Sequence, residues 1–205
     1  MINILFQNPT SFALLAIAMV VSLSIHEFAH AFASNKLGDP TAKLLGRLTL
    51  NPRAHLDPIG TLFLLFFGFG WGRPVPFNPI NLKNPKRDSA IISFAGPLSN
   101  FILASVTAGI YHLAGSNPTQ YLGALLHLIV YYNLLIGFFN LLPFHPLDGF
   151  KVVYGILPTN LAIQWMETER YGMFVLLLLV FTQSSSKILT PAISFMLKLL
   201  GFSFF

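Results

Sequence analysis

Long apolar runs separated by short polar segments dominate the chain. A helix that crosses a bilayer needs about 20 mainly apolar residues. The runs that predict such helices, the last of them with some extension, are Phe12–Ser34, Ser89–His112, Tyr121–Leu142 and Tyr171–Gln183. A fifth run, Ile188–Phe205, is interrupted by Pro191 and Lys198, so it either spans the membrane or lies in the interface. The pattern predicts an all-α multi-pass membrane protein with a three-helix core followed by C-terminal helices.

The region between the first two runs has a different pattern. Ile59–Gly70 is strongly apolar but only about a dozen residues long, which favours a re-entrant or interfacial segment over a full crossing. Thr41–Leu50 has the partly alternating pattern of a short strand. Gly72–Pro79 is too rich in proline for a helix or a central strand, so it is expected to be extended or an edge strand. A short β or re-entrant element is therefore predicted between helices 1 and 2.

The composition supports the membrane assignment and bounds the domain count. Of the 205 residues, 54% are apolar and 9% are charged, whereas about 25% are charged in a soluble domain. This length predicts one domain over residues 1–205, with a core over about 11–155 and C-terminal helices over about 165–205. The chain has no cysteine, which excludes disulfides and thiolate metal ligands.

The cations are concentrated in the short segments between apolar runs, where they set membrane orientation rather than bind nucleic acid. They both precede and follow the short apolar segment, at Lys36, Lys43, Arg47, Arg53, Arg73, Lys83, Lys86 and Arg87. Both groups are therefore expected on the cytoplasmic side, while the linker 113–120, which has no Lys or Arg, is expected outside.

The first predicted helix contains His26-Glu27-Phe28-Ala29-His30, which is the pattern H-E-x-x-H. Residues four apart share a helix face, so both imidazoles can bind one zinc ion, and Glu27 can act as general base on a zinc-activated water. Ionisable groups are costly inside a membrane and usually mark functional sites. The pattern therefore predicts a metal site for amide hydrolysis.

A catalytic zinc ion usually has three protein ligands and one position left for water. Asp148 best fits the third ligand, because it follows the third helix at the cytoplasmic end. Gly149 behind it allows the backbone to turn closely. The chain around Pro143 and Pro146 must then fold back into the bundle, which is tolerated only where it is buried or lines a wet cavity.

These motifs resemble the compact prokaryotic branch of the site-2 protease family of intramembrane zinc proteases. The resemblance covers about residues 20–155 and is carried by HEFAH, AGPLSN, NLLPFHPLDG, the segment GDPTAKLLGRLTLNPRAHLDPIGT and GRPVPFNP. It implies one zinc ion per chain, with His26, His30 and Asp148 as ligands and Glu27 as the catalytic base.

The resemblance also implies a role for Asn140, as a hydrogen-bond donor to the substrate or to the developing oxyanion. An amide in a membrane helix also serves as a bond between helices, so both interpretations stay open for Asn140. His145 lies close to Asp148 and is a rival ligand, although Asp148 is favoured. Asn133 lies one heptad before Asn140, and structural bonding is its expected role.

The implied activity is that of a metalloendopeptidase that cuts membrane-spanning proteins within or next to their transmembrane segments, as in regulated intramembrane proteolysis. Its partners are the lipid bilayer and these substrates, and the active site faces the cytoplasmic side of the cell membrane. An unwound substrate is expected to pair with Arg73–Pro79 by strand addition. The alternatives are a membrane metal transporter or sensor, a structural bundle, and an inactive family member.

Overall fold

The computed structural model describes residues 2–67, 70–117, 120–182 and 184–202, and these residues are mainly helical. In chain order the helices in these ranges are α1 Ile2–Gln7, α2 Pro9–Lys36, α3 Thr41–Leu44, α4 Pro58–Phe67, α5 Pro85–Leu113, α6 Tyr121–Asn140, α7 Asp148–Ile156, α8 Thr159–Glu167, α9 Glu169–Phe181 and α10 Ser184–Leu199. Short 3₁₀ turns occupy Pro52–Ala54 and Pro79–Asn81.

Three of the helices, α2, α5 and α6, are long and apolar enough to cross a membrane, which is consistent with a multi-pass membrane protein. Their starts follow local chemistry. Asn8 caps α2 by accepting a hydrogen bond from the Ser11 amide, and Pro9 takes the first helical position. These three helices lie where the first three apolar runs predict spans.

In the C-terminal region, the predicted fourth span over Tyr171–Gln183 corresponds to a helix shorter than a membrane crossing. Helices α9 and α10 have 13 and 16 residues, and they reach the length of one span only as a pair bent by 78°. The end of the predicted run at Gln183 and the last residues of the fifth run, 203–205, lie outside the described residues. The helices α7 and α8 that precede this pair were not predicted.

The predicted strand over Thr41–Leu50 is wrong. Thr41–Leu44 is a short helix followed by a turn at Gly46, whose φ of +70° suits glycine. The local reason is Asp39, whose side chain accepts hydrogen bonds from the amide and the hydroxyl of Thr41 and so turns the backbone before a strand can start.

The predicted β element reduces to one antiparallel pair between Leu56 and Gly72, and the described residues contain no β-strand. The segment 72–78 is nevertheless non-helical, in agreement with its proline content. The short apolar segment forms α4, whose 10 residues span about 15 Å and are too short to cross a bilayer. Gly68 and Phe69 at its end lie outside the described residues.

The long helices pack against one another, and α7 packs against α5. The apolar contact between α5 and α6 includes small and branched residues, among them Ala104, Ala108, Val130 and Leu134. After α6 ends, the chain turns back and α7 begins at Asp148. A Cβ at Gly149 would lie 2.3 Å from the Leu141 carbonyl oxygen, so glycine is required for this close turn. The turn places Asp148 beside α2.

Candidate metal centre

Two turns of α2 and the first residue of α7 bring three ligand-type side chains together. The Nε2 atoms of His26 and His30 are 3.0 Å apart. The Oδ2 atom of Asp148 lies 3.1 Å from Nε2 of His26 and 3.2 Å from Nε2 of His30. The three residues form a group that could hold a metal ion, and their ligand atoms all lie within 4.8 Å of one another.

In each imidazole, the hydrogen-bond partner of Nδ1 determines which ring nitrogen carries the proton. Nδ1 of His26 is 2.6 Å from Oδ1 of Asn100, and Nδ1 of His30 is 2.7 Å from the carbonyl oxygen of Ile92. Both partners are oxygen acceptors, so both Nδ1 atoms donate, and a neutral imidazole then carries its lone pair on Nε2. This arrangement is typical of histidines that bind metals.

Three electron-rich atoms therefore converge on one point. The Asp148 Oδ2 atom is buried and has no hydrogen-bond partner in the described part of the chain. An ionised carboxylate facing two imidazoles requires a cation for compensation.

The room for a cation comes from Gly96 on α5. A Cβ at this position would lie 2.4 Å from Nε2 of His30 and 2.7 Å from Cε1 of His26. Any side chain would therefore occupy the space in front of the imidazoles. Two imidazoles and one carboxylate are a known catalytic zinc donor set, so the residues present fit zinc.

Glu27 follows His26 in α2 and is 8% exposed. Its Oε2 atom accepts a hydrogen bond of 3.1 Å from the backbone amide of Val75. The non-helical segment 72–78, here called the crossing segment, thus contacts the helix that carries the two histidines. A carboxylate has two oxygens, and this bond fixes the position of one of them.

The crossing segment is held on the N-terminal side of Val75 by Arg47 and His55. The buried Arg47 guanidinium donates to the carbonyl oxygens of Arg73 and Pro74, and the Arg73 amide donates to the His55 carbonyl at 2.7 Å. Backbone hydrogen bonds to charged side chains are stronger than neutral ones. They hold the Val75 amide at Glu27.

The other end of the crossing segment is bound to Asp39, just after α2. The Asp39 carboxylate accepts from the Asn78 amide and from the Asn81 side chain, each at 2.7 Å, and also from Thr41. Burial alone would raise the pKa of Asp39, but hydrogen bonds from Thr41, Asn81 and Asn78 outweigh it and lower the pKa to about 2. Asp39 is therefore a charged anchor at neutral pH.

Two other residues considered from the sequence, His145 and Asn140, have different partners. His145 lies 3.2 Å from the Glu169 carboxylate on α9 and packs edge-on against Phe150, whereas Asp148 lies with the histidines. The Asn140 side chain donates to the Ile136 carbonyl at 3.0 Å, one turn back in α6. Its role toward a substrate stays a prediction.

Sequence reasoning missed the groups that support the cluster, namely Asn100, the Ile92 carbonyl, Val75 and Arg47. One signal was present: Ile92, Gly96 and Asn100 are four residues apart and share one face of α5. The contacts of Val75 and Arg47 join distant parts of the chain, and the local pattern carried no signal for them.

Comparisons with known proteins agree with this geometry. The chain is 39% identical to YwhC of Bacillus subtilis, a candidate zinc metalloprotease by its name, over 187 residues, which are 88% of this chain and 85% of that protein. It is 26% identical to Rip2 of Mycolicibacterium smegmatis, named in the same way, over 86% of this chain and 70% of that protein. It is 29% identical to the zinc metalloprotease MJ0392 of Methanocaldococcus jannaschii, over 75% of this chain but 37% of that longer protein.

No family model and no solved structure matches the chain. The relatives nevertheless cover most of its length, and the structure brings together two histidines and an aspartate that could hold a metal ion. This chain belongs to the site-2 protease-like family of zinc metalloproteases.

Proposed function

We propose that this protein hydrolyses peptide bonds within or next to the transmembrane segments of other membrane proteins. The observation that carries the proposal is the position of the cluster on α2, a helix able to cross a bilayer. His26 and His30 lie ten and six residues before Lys36, which corresponds to about 15 and 9 Å along the helix. Hydrolysis at that depth acts on segments that lie in or near the membrane.

The proposed chemistry assigns His26, His30 and Asp148 as the residues that hold zinc. When bound, zinc supplies Lewis-acid polarisation of the scissile carbonyl and activation of a water near neutral pH. Glu27 accepts a proton from the attacking water and delivers it to the nitrogen of the leaving amine. The Val75 amide holds one oxygen of Glu27, so the carboxylate stays oriented during both transfers.

The crossing segment is proposed as the docking edge for an unwound substrate. It is non-helical, contacts Glu27 and is anchored to Arg47 and Asp39. A cavity of about 390 Å³ beside it, lined by residues that include Val75, Phe77 and Tyr154, gives room for a substrate side chain. A strand added here would bring its backbone past the general base. Asn140 is proposed as a donor to that substrate or to the oxyanion.

The active site is proposed to face the cytoplasmic side of the cell membrane. Helix α2 ends at Lys36, α5 begins after Lys83, and α7 carries Asp148, all at the same end of the bundle as the cation-rich loops. Lys and Arg in short loops are retained on the cytoplasmic side, which supports this orientation.

The test is a comparison of Glu27→Gln with Glu167→Gln, since Glu167 is an exposed acid on α8. Each full-length variant is purified in detergent, its zinc content is measured, and cleavage of a peptide with one transmembrane segment is followed. We expect Glu27→Gln to keep one zinc per chain and to lose cleavage, and Glu167→Gln to retain both. Normal cleavage by Glu27→Gln would refute the proposed mechanism, and cleavage of soluble peptides alone would refute the membrane substrate.

A further inference from the structure

Helix α5 supplies none of the three proposed zinc ligands, yet it touches both ligand histidines on the side opposite the metal position. Its Ile92 carbonyl oxygen is hydrogen-bonded to Nδ1 of His30, and its Asn100 side chain is hydrogen-bonded to Nδ1 of His26. A backbone carbonyl can only accept, so the His30 contact has one polarity. A side-chain amide can present either oxygen or nitrogen, so the polarity at His26 depends on what fixes Asn100.

Asn100 belongs to a closed set of hydrogen bonds among α2, α5 and α6. Its Nδ2 atom donates to the Ser22 carbonyl at 3.1 Å and to Oδ1 of Asn133 at 2.7 Å. Nδ2 of Asn133 donates to the Ser22 hydroxyl at 2.7 Å and to the Ile129 carbonyl at 2.8 Å. The Ser22 hydroxyl donates to the Ala18 carbonyl at 2.7 Å. The side chains of Ser22, Asn100 and Asn133 are fully buried.

Backbone carbonyls at the ends of this set determine every proton in it. The Ala18 carbonyl takes the Ser22 hydroxyl proton, so the Ser22 oxygen accepts from the Asn133 amide nitrogen. That orientation places the Asn133 oxygen toward Asn100, so Asn100 must donate to it from its own amide nitrogen. The oxygen of Asn100 is then left for His26, and only a protonated Nδ1 can satisfy it.

We propose that Asn100 is a positioning residue that holds His26 with its proton on Nδ1 and its lone pair on Nε2, where the metal binds. Asn133 and Ser22 act one step further away, because they keep the Asn100 amide from flipping. The inference rests on the zinc site proposed above. Groups in this position typically change metal affinity by 10–100-fold when they are removed.

Three variants separate orientation of His26 from simple packing. Asn100→Leu keeps the approximate volume and removes every hydrogen bond. Asn100→Asp keeps an oxygen that accepts from His26 but loses the amide donors to the Ser22 carbonyl and to Asn133, so it destabilises the fold while it still orients the ring. Thr107→Val is the matched control, since Thr107 is buried on the same helix, about two turns further on.

The experiment measures zinc affinity by competition with a chromophoric chelator, together with the absorption spectrum of the cobalt-substituted protein and the thermal unfolding of the metal-free protein. Full-length chains in detergent are used throughout, and cleavage activity is not one of the measurements. We expect zinc affinity to fall 10–100-fold in Asn100→Leu, to recover in part in Asn100→Asp, and to stay unchanged in Thr107→Val. The cobalt spectrum should shift in Asn100→Leu alone.

Three results would overturn the inference, and they are distinguishable. If wild type binds zinc and Asn100→Leu binds it equally well with the same cobalt spectrum, Asn100 does not position His26. The same holds if zinc affinity follows thermal stability across the three variants, so that Asn100→Asp is no better than Asn100→Leu. If wild type binds no zinc, the metal site itself is wrong and the inference falls with it.

Discussion

Replacing Gly96 with alanine adds one methyl group in front of the two ligand imidazoles. The new Cβ would lie 2.4 Å from Nε2 of His30, whereas ordinary contacts begin at 3.4 Å. The imidazole, or the whole of α2, must therefore move by about 1 Å. Metal–ligand distances tolerate changes of only about 0.2 Å, so His30 can no longer serve as a ligand alongside His26 and Asp148.

The expected loss follows from the share of one ligand in zinc binding. Protein zinc sites with four ligands bind with about 10–16 kcal/mol, which corresponds to about 3 kcal/mol for each ligand. Loss of one ligand therefore weakens zinc binding about 100-fold. The intrinsic gain from alanine over glycine in a helix is only about 1 kcal/mol, and it acts on the helix rather than on the site.

The matched control is Gly109→Ala on the same helix, where a Cβ meets nothing within 4 Å. Zinc affinity of both variants is measured by chelator competition, and folding is checked by thermal unfolding without metal. Gly109→Ala should bind zinc as wild type does and should be equally or more stable. Wild-type zinc affinity in a folded Gly96→Ala protein would show that the metal does not lie between these imidazoles and Gly96.

Three further predictions concern the crossing segment and Asn140. Asp39→Asn should be about 2 kcal/mol less stable at pH 7, because it loses hydrogen bonds to a charged acceptor. Because the pKa of Asp39 is lowered in the fold, its carboxylate stabilises the fold fully above the ordinary pKa of 3.8, and this contribution is lost as pH falls through about 2. In acid unfolding, the stability difference between Asp39→Asn and wild type should therefore shrink. A difference that stays constant from pH 5 to 2 would contradict this prediction. Arg47→Met should slow cleavage about tenfold at unchanged zinc affinity, since the backbone that holds Glu27 loses a buried hydrogen-bond donor. The control Lys43→Met, at an exposed position, should have no effect. Equal cleavage rates in both variants would contradict the proposed role of the crossing segment. Asn140→Leu should reduce the cleavage rate about 100-fold and leave zinc affinity unchanged if it stabilises the oxyanion, whereas normal cleavage leaves it only its bond within α6.

Interactions that repeat along the chain were readable without a structure. The apolar runs predicted α2, α5 and α6, because twenty apolar residues in sequence have few alternatives to a membrane helix. The spacing of His26 and His30 placed both on one helix face, since a helix repeats every 3.6 residues. The sequence could nominate Asp148 as a partner only through its chemistry and its place after the third helix.

Tertiary structure decided which distant groups meet. The short helix at Thr41 replaced a predicted strand because the Asp39 side chain captures the backbone there. The Asn100 amide reaches His26, and the Val75 amide reaches Glu27, across 74 and 48 residues of sequence. Sequence periodicity predicts which face of a helix a residue lies on. A buried polar group also needs a hydrogen-bond partner, and the packing of the helices determines which partner lies close enough. The sequence therefore specified the proposed zinc ligands, and the fold specified the hydrogen-bond partners and the backbone that orient them.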